Sequence, residues 1–187
     1  MHNWRALSAT LMVTLAATLG ANSVAARPVA EILQSAALAE RLTGPQNAER
    51  ARVGVRPLTW DPALEKAAAD YAVELARTGK WGHSAPEQRV GQGENLWMGT
   101  RDAFSLEEML DGWLTERSMF RRGTFPNVTT SASWHDVGHY TQIIWADTLR
   151  VGCAVRSSAT FDYLVCRYSE PGNVMGQRVG PVTVASR

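Results

Sequence analysis

This chain has almost no surplus of either charge, and it contains few histidines and cysteines. The 187 residues include 19 basic and 18 acidic side chains, and the formal net charge is +1. Nucleic-acid binding needs a surplus of basic residues on one surface, so this balance argues against a nucleic-acid partner. It also provides no polybasic patch for anionic lipid. After the first 26 residues, the sequence has no apolar run long enough to span a membrane.

The first 26 residues are predicted to be a secretory signal peptide. Arg5 supplies the positive start, and the residues from Ala6 to Leu19 are apolar but short for a bilayer. Val24-Ala25-Ala26 offers the small residues at which such segments are cleaved. Cleavage there would leave one domain, residues 27–187, without a transmembrane segment. An uncleaved anchor is the alternative; we expect a secreted or periplasmic protein.

The two cysteines, Cys153 and Cys166, are predicted to form a structural disulfide. In an exported protein, an even pair this close along the chain is typically bonded. Val-rich runs at residues 150–156 and 162–168 predict two strands joined by a polar turn, which would place the cysteines on neighbouring strands of a hairpin. A redox role is less suited, because redox pairs usually lie closer, as in Cys-x-x-Cys.

Three helices are predicted upstream of this hairpin from apolar residues at helical spacing and from capping residues. The run 81–100, which is rich in glycine, is predicted to be a loop. The expected helix boundaries are Arg27 and Gly44-Pro45 for the first helix, Asp61 and Gly79 for the second, and Ser105, within a Ser-x-x-Glu capping box, for the start of the third.

Histidine occurs only four times, and its placement indicates a functional site. His2 lies in the predicted signal peptide, and the other three occupy two polar stretches. His83 lies in Gly-His-Ser, whereas His135 and His139 lie in the run WHDVGHYTQIIW. Their i, i+4 spacing would place the latter two on one face of a helix. The glycine before His139 weakens a helical prediction, and His135 is therefore expected at the rim of a cleft, with a role as a metal ligand beside His139 as the alternative.

Two long stretches of the chain fit the signatures of one protein family. Residues 138–148 (GHYTQIIWADT) match the first signature at every constrained position, and residues 163–174 (YLVCRYSEPGNV) match the second except at Glu170. The chain thus resembles the CAP superfamily of cysteine-rich secretory, antigen 5 and pathogenesis-related 1 proteins, also called SCP domains. The resemblance covers about residues 38–176, and the scarcity of cysteine resembles bacterial members. Two shorter motifs also look like those of the family, Gly93-Glu94-Asn95-Leu96 and Trp113-x-x-Glu116.

The resemblance implies an α+β fold, an α-β-α sandwich with a central antiparallel sheet. It also implies a cleft lined by two histidines and two glutamates, at positions that match His83, Glu94, Glu116 and His139. Two neutral imidazoles with carboxylates suit a first-row metal ion. The resemblance implies that the two histidines bind a divalent ion, often zinc in this family. The glutamates would be further ligands or would orient a bound water. A hydrogen-bonded network without metal is the alternative.

Three functions are compatible with this resemblance. The first is a binding module whose cleft takes a lipid, a glycan or a protein. The second is a protease-like, metal-dependent hydrolase with Glu94 or Glu116 as the base; the sequence lacks a His-Glu-x-x-His helix and a nucleophile elbow, so a binding role is preferred. The third is an envelope interaction protein whose partner binds outside the cleft. Candidate rim residues, each of which could instead pack in the core, are His135, Trp97, Trp134 and Phe125.

Overall fold

The computed structural model describes the backbone of residues 29–180 and the side chains of residues 36–180. The predicted signal peptide and a short strand predicted at residues 182–184 lie outside this range. No helix in the described range is long and apolar enough to cross a membrane. The elements are α1 (Val29–Val53), β1 (Thr59–Trp60), α2 (Pro62–Thr78), β2 (Gly93–Thr100), α3 (Leu106–Leu114), α4 (Gly138–Ile143), β3 (Arg150–Ser157) and β4 (Phe161–Ser169).

A four-stranded sheet forms the middle layer, with the strand order β1-β3-β4-β2. The three long strands pair antiparallel, as predicted, whereas the two-residue β1 pairs with β3 in parallel. Helix α2 covers one face of the sheet, and α1, α3 and α4 cover the other. The predicted α-β-α sandwich is therefore confirmed. The residues that face α2 include Leu96, Ala154, Tyr163 and Val165, and those that face the other helices include Cys153, Leu164, Cys166 and Tyr168.

The predicted hairpin and its disulfide are both present. Strands β3 and β4 lie within one residue of the predicted bounds, and Cys153 stands directly opposite Cys166 in their register. The two cysteines are bonded, with Cα atoms 4.1 Å apart, and both are fully buried. The bond therefore joins two strands in the centre of the core.

The boundaries of α2 follow from the capping residues seen in the sequence. The Asp61 carboxylate accepts hydrogen bonds from the backbone N–H groups of Ala63 and Leu64, at 2.8 and 3.3 Å. Gly79 ends the helix in the left-handed conformation, with φ 66°. The capping box of Ser105 and Glu108 at the start of α3 is also formed. Local chemistry is sufficient to set these three boundaries.

Helix α1 does not end at Gly44-Pro45, and that prediction was wrong. The helix runs on to Val53, because its second half is buried against the rest of the fold. Leu42, Gln46 and Arg50 are all 0 % exposed. The burial of these side chains outweighs the local cost of Gly44 and Pro45 within the helix.

Arg50 ties α1 to the segment that follows α4. Its guanidinium donates to the backbone carbonyls of Ile143, Trp145 and Thr148, at 2.7, 2.9 and 2.7 Å, and to that of Arg56 at 2.6 Å. Burial lowers the pKa of Arg50 to about 10, so the side chain stays charged at neutral pH. The carbonyl oxygens thus take the place of a carboxylate partner.

The run 81–100 is only partly a loop, because its last eight residues form β2. Gly93, which suggested a turn, begins this strand for a steric reason. A Cβ atom at Gly93 would lie 2.0 Å from Oε1 of Gln142. The glycine therefore allows α4 to approach the sheet closely, and it does not break the strand.

Candidate functional site

Three histidines line one cavity at the end of the sheet, with a volume of about 380 Å³. His83 comes from the loop before β2, His139 from the first turn of α4, and His135 from the 3₁₀ turn Trp134–Val137 that precedes α4. The turn and α4 are consecutive, so this segment is helical although Gly138 weakened that prediction. Glycine is favoured there because a Cβ atom would lie 3.3 Å from the ring of Trp134.

His83 is held by the carboxylate of Glu94, near the start of β2. Its Nδ1 lies 2.7 Å from Oε1 of Glu94. The backbone N–H of Ser84 donates to the same oxygen at 3.0 Å, and the Ser84 hydroxyl donates to Oε2 at 2.9 Å. Arg167, directly opposite Glu94 on β4, forms an ion pair with Oε2 at 3.0 Å. Both oxygens of the carboxylate are therefore occupied.

The Glu94 carboxylate is ionised although its side chain is 0 % exposed. Burial by itself would raise the pKa of Glu94, but the hydrogen bond with His83, the charge of Arg167 and the bonds from Ser84 outweigh it and hold the pKa below its ordinary value. An ionised carboxylate at Nδ1 favours the tautomer with hydrogen on Nδ1. The lone pair of His83 is then on Nε2.

His139 has a carboxylate partner of its own, supplied by the 3₁₀ turn after α3. Its Nδ1 lies 2.5 Å from Oε1 of Glu116, and the other oxygen accepts the backbone N–H of Tyr140 at 2.9 Å. The imidazole stacks on Trp113, with ring centres 5.7 Å apart and planes 15° apart. His139 is consequently the better packed of the two, with 33 % of its side chain exposed against 56 % for His83.

Strand β2 contacts both histidine-bearing segments through consecutive residues. Glu94 bonds the ring of His83, and the Asn95 amide donates to the backbone carbonyl of His139 at 3.1 Å. Asn95 is 1 % exposed and also contacts the hydroxyl of Tyr168 at 3.3 Å. The relative position of the histidines thus depends on this strand.

The four residues predicted as metal ligands are brought together as two pairs. In the described part of the chain, no group of three or more His, Cys, Asp or Glu side chains is placed to hold a metal ion. Glu94 and Glu116 are each bonded to an Nδ1 atom. The ring atoms that these bonds leave available are the two Nε2 atoms, and metal-binding histidines commonly donate their other ring N–H to a carboxylate.

The predicted rim residues separate into two groups. Trp134 and His135 line the cavity and stack on each other, with ring centres 3.8 Å apart. Phe125 is 1 % exposed and contacts Trp134 within the core, so its prediction as a rim residue was wrong. Trp97 packs edge-on against Phe104, with ring centres 5.1 Å apart, and is not part of the cavity wall.

Arg167 was missed by sequence reasoning, although one signal was available. A charged residue within the apolar run of β4 is unusual, because arginine is rarely buried without a partner. That signal indicates a buried ion pair but not the partner. Glu94 becomes the partner only through the register of β2 and β4.

Comparison with known proteins decides the family. A sequence model of the Cysteine-rich secretory protein family, CAP, matches residues 44–168. The chain belongs to this family. As a CAP protein it is 37 % identical over 133 residues to the pathogenesis-related protein PR-1 type of Sambucus nigra, covering 71 % of this chain and 75 % of the relative. It is 36 % identical over 132 residues to pathogenesis-related protein 1C of Nicotiana tabacum, covering 70 % and 74 %.

Solved structures share the fold of this CAP protein. The crystal structure of NaASP2 with Zn²⁺ has a TM-score of 0.64 and 25 % identity, over 75 % of this chain and 83 % of that one. The hookworm platelet inhibitor has a TM-score of 0.61 and 20 % identity, over 77 % and 75 %. The family prediction is therefore confirmed, while membership of a bacterial group stays a prediction.

Proposed function

We propose that this CAP protein is exported and that its cleft binds one divalent metal ion, preferably zinc, through Nε2 of His83 and Nε2 of His139. The cleft then presents a groove to a lipid, glycan or protein ligand. The observation that carries the proposal is the pairing of each imidazole with a carboxylate at Nδ1, at 2.7 and 2.5 Å. Both imidazoles line the same cavity.

This pairing is what a metal-binding imidazole requires. A carboxylate at Nδ1 fixes the ring orientation, keeps the lone pair on Nε2 and increases the basicity of that nitrogen. Imidazole nitrogen suits zinc and its neighbours in the first transition row. The structure of the CAP relative NaASP2 with Zn²⁺ supports the same choice of metal. A bound ion would act as a Lewis acid toward an oxygen atom of the ligand.

A binding role is favoured over hydrolysis by the state of the two glutamates. A general base needs a free carboxylate oxygen within reach of water. Glu94 is out of reach of solvent, with a 0 % exposed side chain and both oxygens bonded to His83, Ser84 and Arg167. Each oxygen of Glu116 already accepts one bond, from His139 or from the backbone of Tyr140, and its side chain is only 12 % exposed. The two carboxylates therefore serve to position the imidazoles.

Export is supported by three features of the chain. The first 26 residues have the pattern of a signal peptide. The buried disulfide suits an oxidising compartment. The family description itself refers to secretory proteins. We expect the mature protein outside the cytoplasm with Arg27 as its first residue, which N-terminal sequencing of the secreted form would check.

Isothermal titration with zinc tests the metal site. The mature protein, stripped with a chelator and dialysed, should bind one zinc ion. His83→Ala and His139→Ala should each weaken binding at least about tenfold, because each removes one of the two protein ligands. His135→Ala is the matched control, since its ring lines the same cavity but stacks on Trp134 and has no carboxylate partner among the described residues.

Circular dichroism would establish that each variant is folded. Absence of zinc binding by the unmodified protein would refute the proposal. Equal losses from His135→Ala and His83→Ala would also contradict it, because the carboxylate pairing would then have no bearing on the affinity.

A further inference from the structure

The electrostatics of the cavity depend on one residue that the metal site does not use. Among the described residues of the cavity wall, Glu94 is the one carboxylate, and its charge is balanced by the buried guanidinium of Arg167 at 3.0 Å. The other charged residue of the wall is Arg89, on the loop between His83 and β2. Arg89 is therefore the charged residue of the wall that has no partner of opposite charge among the described residues.

Arg89 is held in place by one end of its guanidinium. Its Nε donates to the backbone carbonyl of Ser84 at 3.1 Å. The two terminal nitrogens form no hydrogen bond and no ion pair with the residues that the structure describes. The side chain is half-buried, so its orientation is restricted while the terminal N–H groups are free.

The other polar groups of the wall are mostly engaged within the protein. The amide of Asn95 bonds the segment of His139, that of Gln142 bonds Gly172 and Thr148, and that of Asn173 bonds Gly138 and Thr141. A ligand in the cavity thus meets the terminal nitrogens of Arg89 and the Nε2 atoms of the imidazoles, beside the stacked rings of Trp134 and His135.

We propose that the cleft selects ligands that carry an anionic oxygen group, a carboxylate or a phosphate, and that Arg89 is the residue that binds this group. A guanidinium with free terminal N–H groups binds two oxygens of such a group through parallel hydrogen bonds. The stacked aromatic rings accommodate an apolar part attached to the anion. The inference rests on the proposed function only in taking the same cleft as the ligand site.

Binding of three matched small probes tests this inference. Benzoate and phenyl phosphate carry the two anionic groups, and benzyl alcohol provides the same ring without charge. Both anions should bind saturably in isothermal titration, at least about tenfold more tightly than the alcohol, because a charge-assisted bidentate pair forms with the anions alone. Tighter binding of benzoate would indicate a carboxylate ligand, and tighter binding of phenyl phosphate would indicate a phosphate ligand.

Variants of Arg89 assign the effect to this residue. Arg89→Gln should weaken anion binding at least about tenfold and leave benzyl alcohol within about twofold. Arg89→Lys should give an intermediate loss, because it keeps the charge and removes the planar fork. Arg122→Gln is the control, since it removes an exposed positive charge that does not line the cavity and should change anion affinity by less than about twofold.

Each titration is run on chelator-stripped and on zinc-loaded protein. A loss in Arg89→Gln in either state supports the inference, even when zinc itself fails to bind and the metal proposal falls. Anion affinity that is unchanged in Arg89→Gln overturns the inference, even when the zinc site on His83 and His139 is established. Equal losses from Arg89→Gln and Arg122→Gln, or the absence of saturable anion binding in both states, overturn it as well.

Discussion

Replacement of Arg167 by methionine should destabilise the protein by about 2–4 kcal/mol at neutral pH. Arg167 stands opposite Glu94 in the register of β4 and β2, and their side chains are 1 % and 0 % exposed. Methionine keeps most of the apolar volume that packs near Tyr71, over whose ring the guanidinium lies at 5.5 Å. The substitution thus mainly removes the charge.

The magnitude follows from two opposing contributions. Removal of one partner from a buried ion pair costs about 3–5 kcal/mol, because the other charge stays buried without its counter-ion. However, Nε of Arg167 is buried without a hydrogen-bond partner among the described residues, which itself costs about 1 kcal/mol in the unmodified protein, the lower end of the range for such a group. The variant loses this penalty too. The net cost corresponds to a Tm lower by roughly 4–16 °C for a chain of this size.

The pH dependence gives a second, independent measure. The pKa of Glu94 in the folded protein is below its ordinary value, so its ionised form contributes stability above the unfolded pKa of about 4.3 and loses it as pH falls through the folded pKa. In Arg167→Met, burial raises this pKa with less to oppose it. The stability difference between the two proteins should therefore be largest above about pH 5 and should shrink in acid.

Urea denaturation at pH 7 and at pH 3 would measure both effects. Lys66→Ala serves as control, because it breaks an ion pair with Asp70 whose side chains are 76 % and 66 % exposed, and it should cost less than about 1 kcal/mol. A loss below about 1 kcal/mol for Arg167→Met at pH 7, or an equal loss at both pH values, would refute the reasoning.

Three further variants have expected outcomes. Gly93→Ala should lower stability by about 1–3 kcal/mol in thermal melts, because its Cβ would lie 2.0 Å from Oε1 of Gln142. A neutral Gly93→Ala would show that the Gln142 side chain moves aside. Gly44→Ala, whose Cβ would have nothing within 4 Å, should raise stability by about 0.5–1 kcal/mol. Loss of the disulfide in the double variant Cys153→Ala, Cys166→Ala should cost about 2–3 kcal/mol in urea titration, and unchanged stability would show that strand pairing alone suffices.

The elements that the sequence predicts well are those whose causes are local. Asp61 and Gly79 bound α2 through hydrogen bonds and a backbone conformation within a few residues. The Val-rich runs around Cys153 and Cys166 predict a hairpin, because short runs of β-branched and aromatic residues favour strands over helices. The family signatures then supply the order of the layers.

The features that the sequence does not predict are those that arise between distant segments. Helix α1 continues past Gly44-Pro45 because Arg50 and its neighbours are buried against the end of α4. Gly93 begins a strand because Gln142 approaches it from another element. Similarly, the partner of Glu94 is set by the strand register, which no spacing within β2 reveals.

The position of Glu94 and Asn95 on strand β2 makes the spacing of the two histidines independent of the loop that carries Arg89. Successive residues of a strand point to opposite faces of the sheet, so Glu94 contacts His83 and Asn95 contacts the backbone of His139. Together the two residues determine the spacing of the histidines. The loop of residues 85–92 carries Arg89 and does not determine that spacing. Insertions or exchanges in this loop are therefore expected to alter which ligand is preferred without altering the spacing of the two histidines. The architecture allows one arrangement of paired histidines to be combined with many ligand preferences.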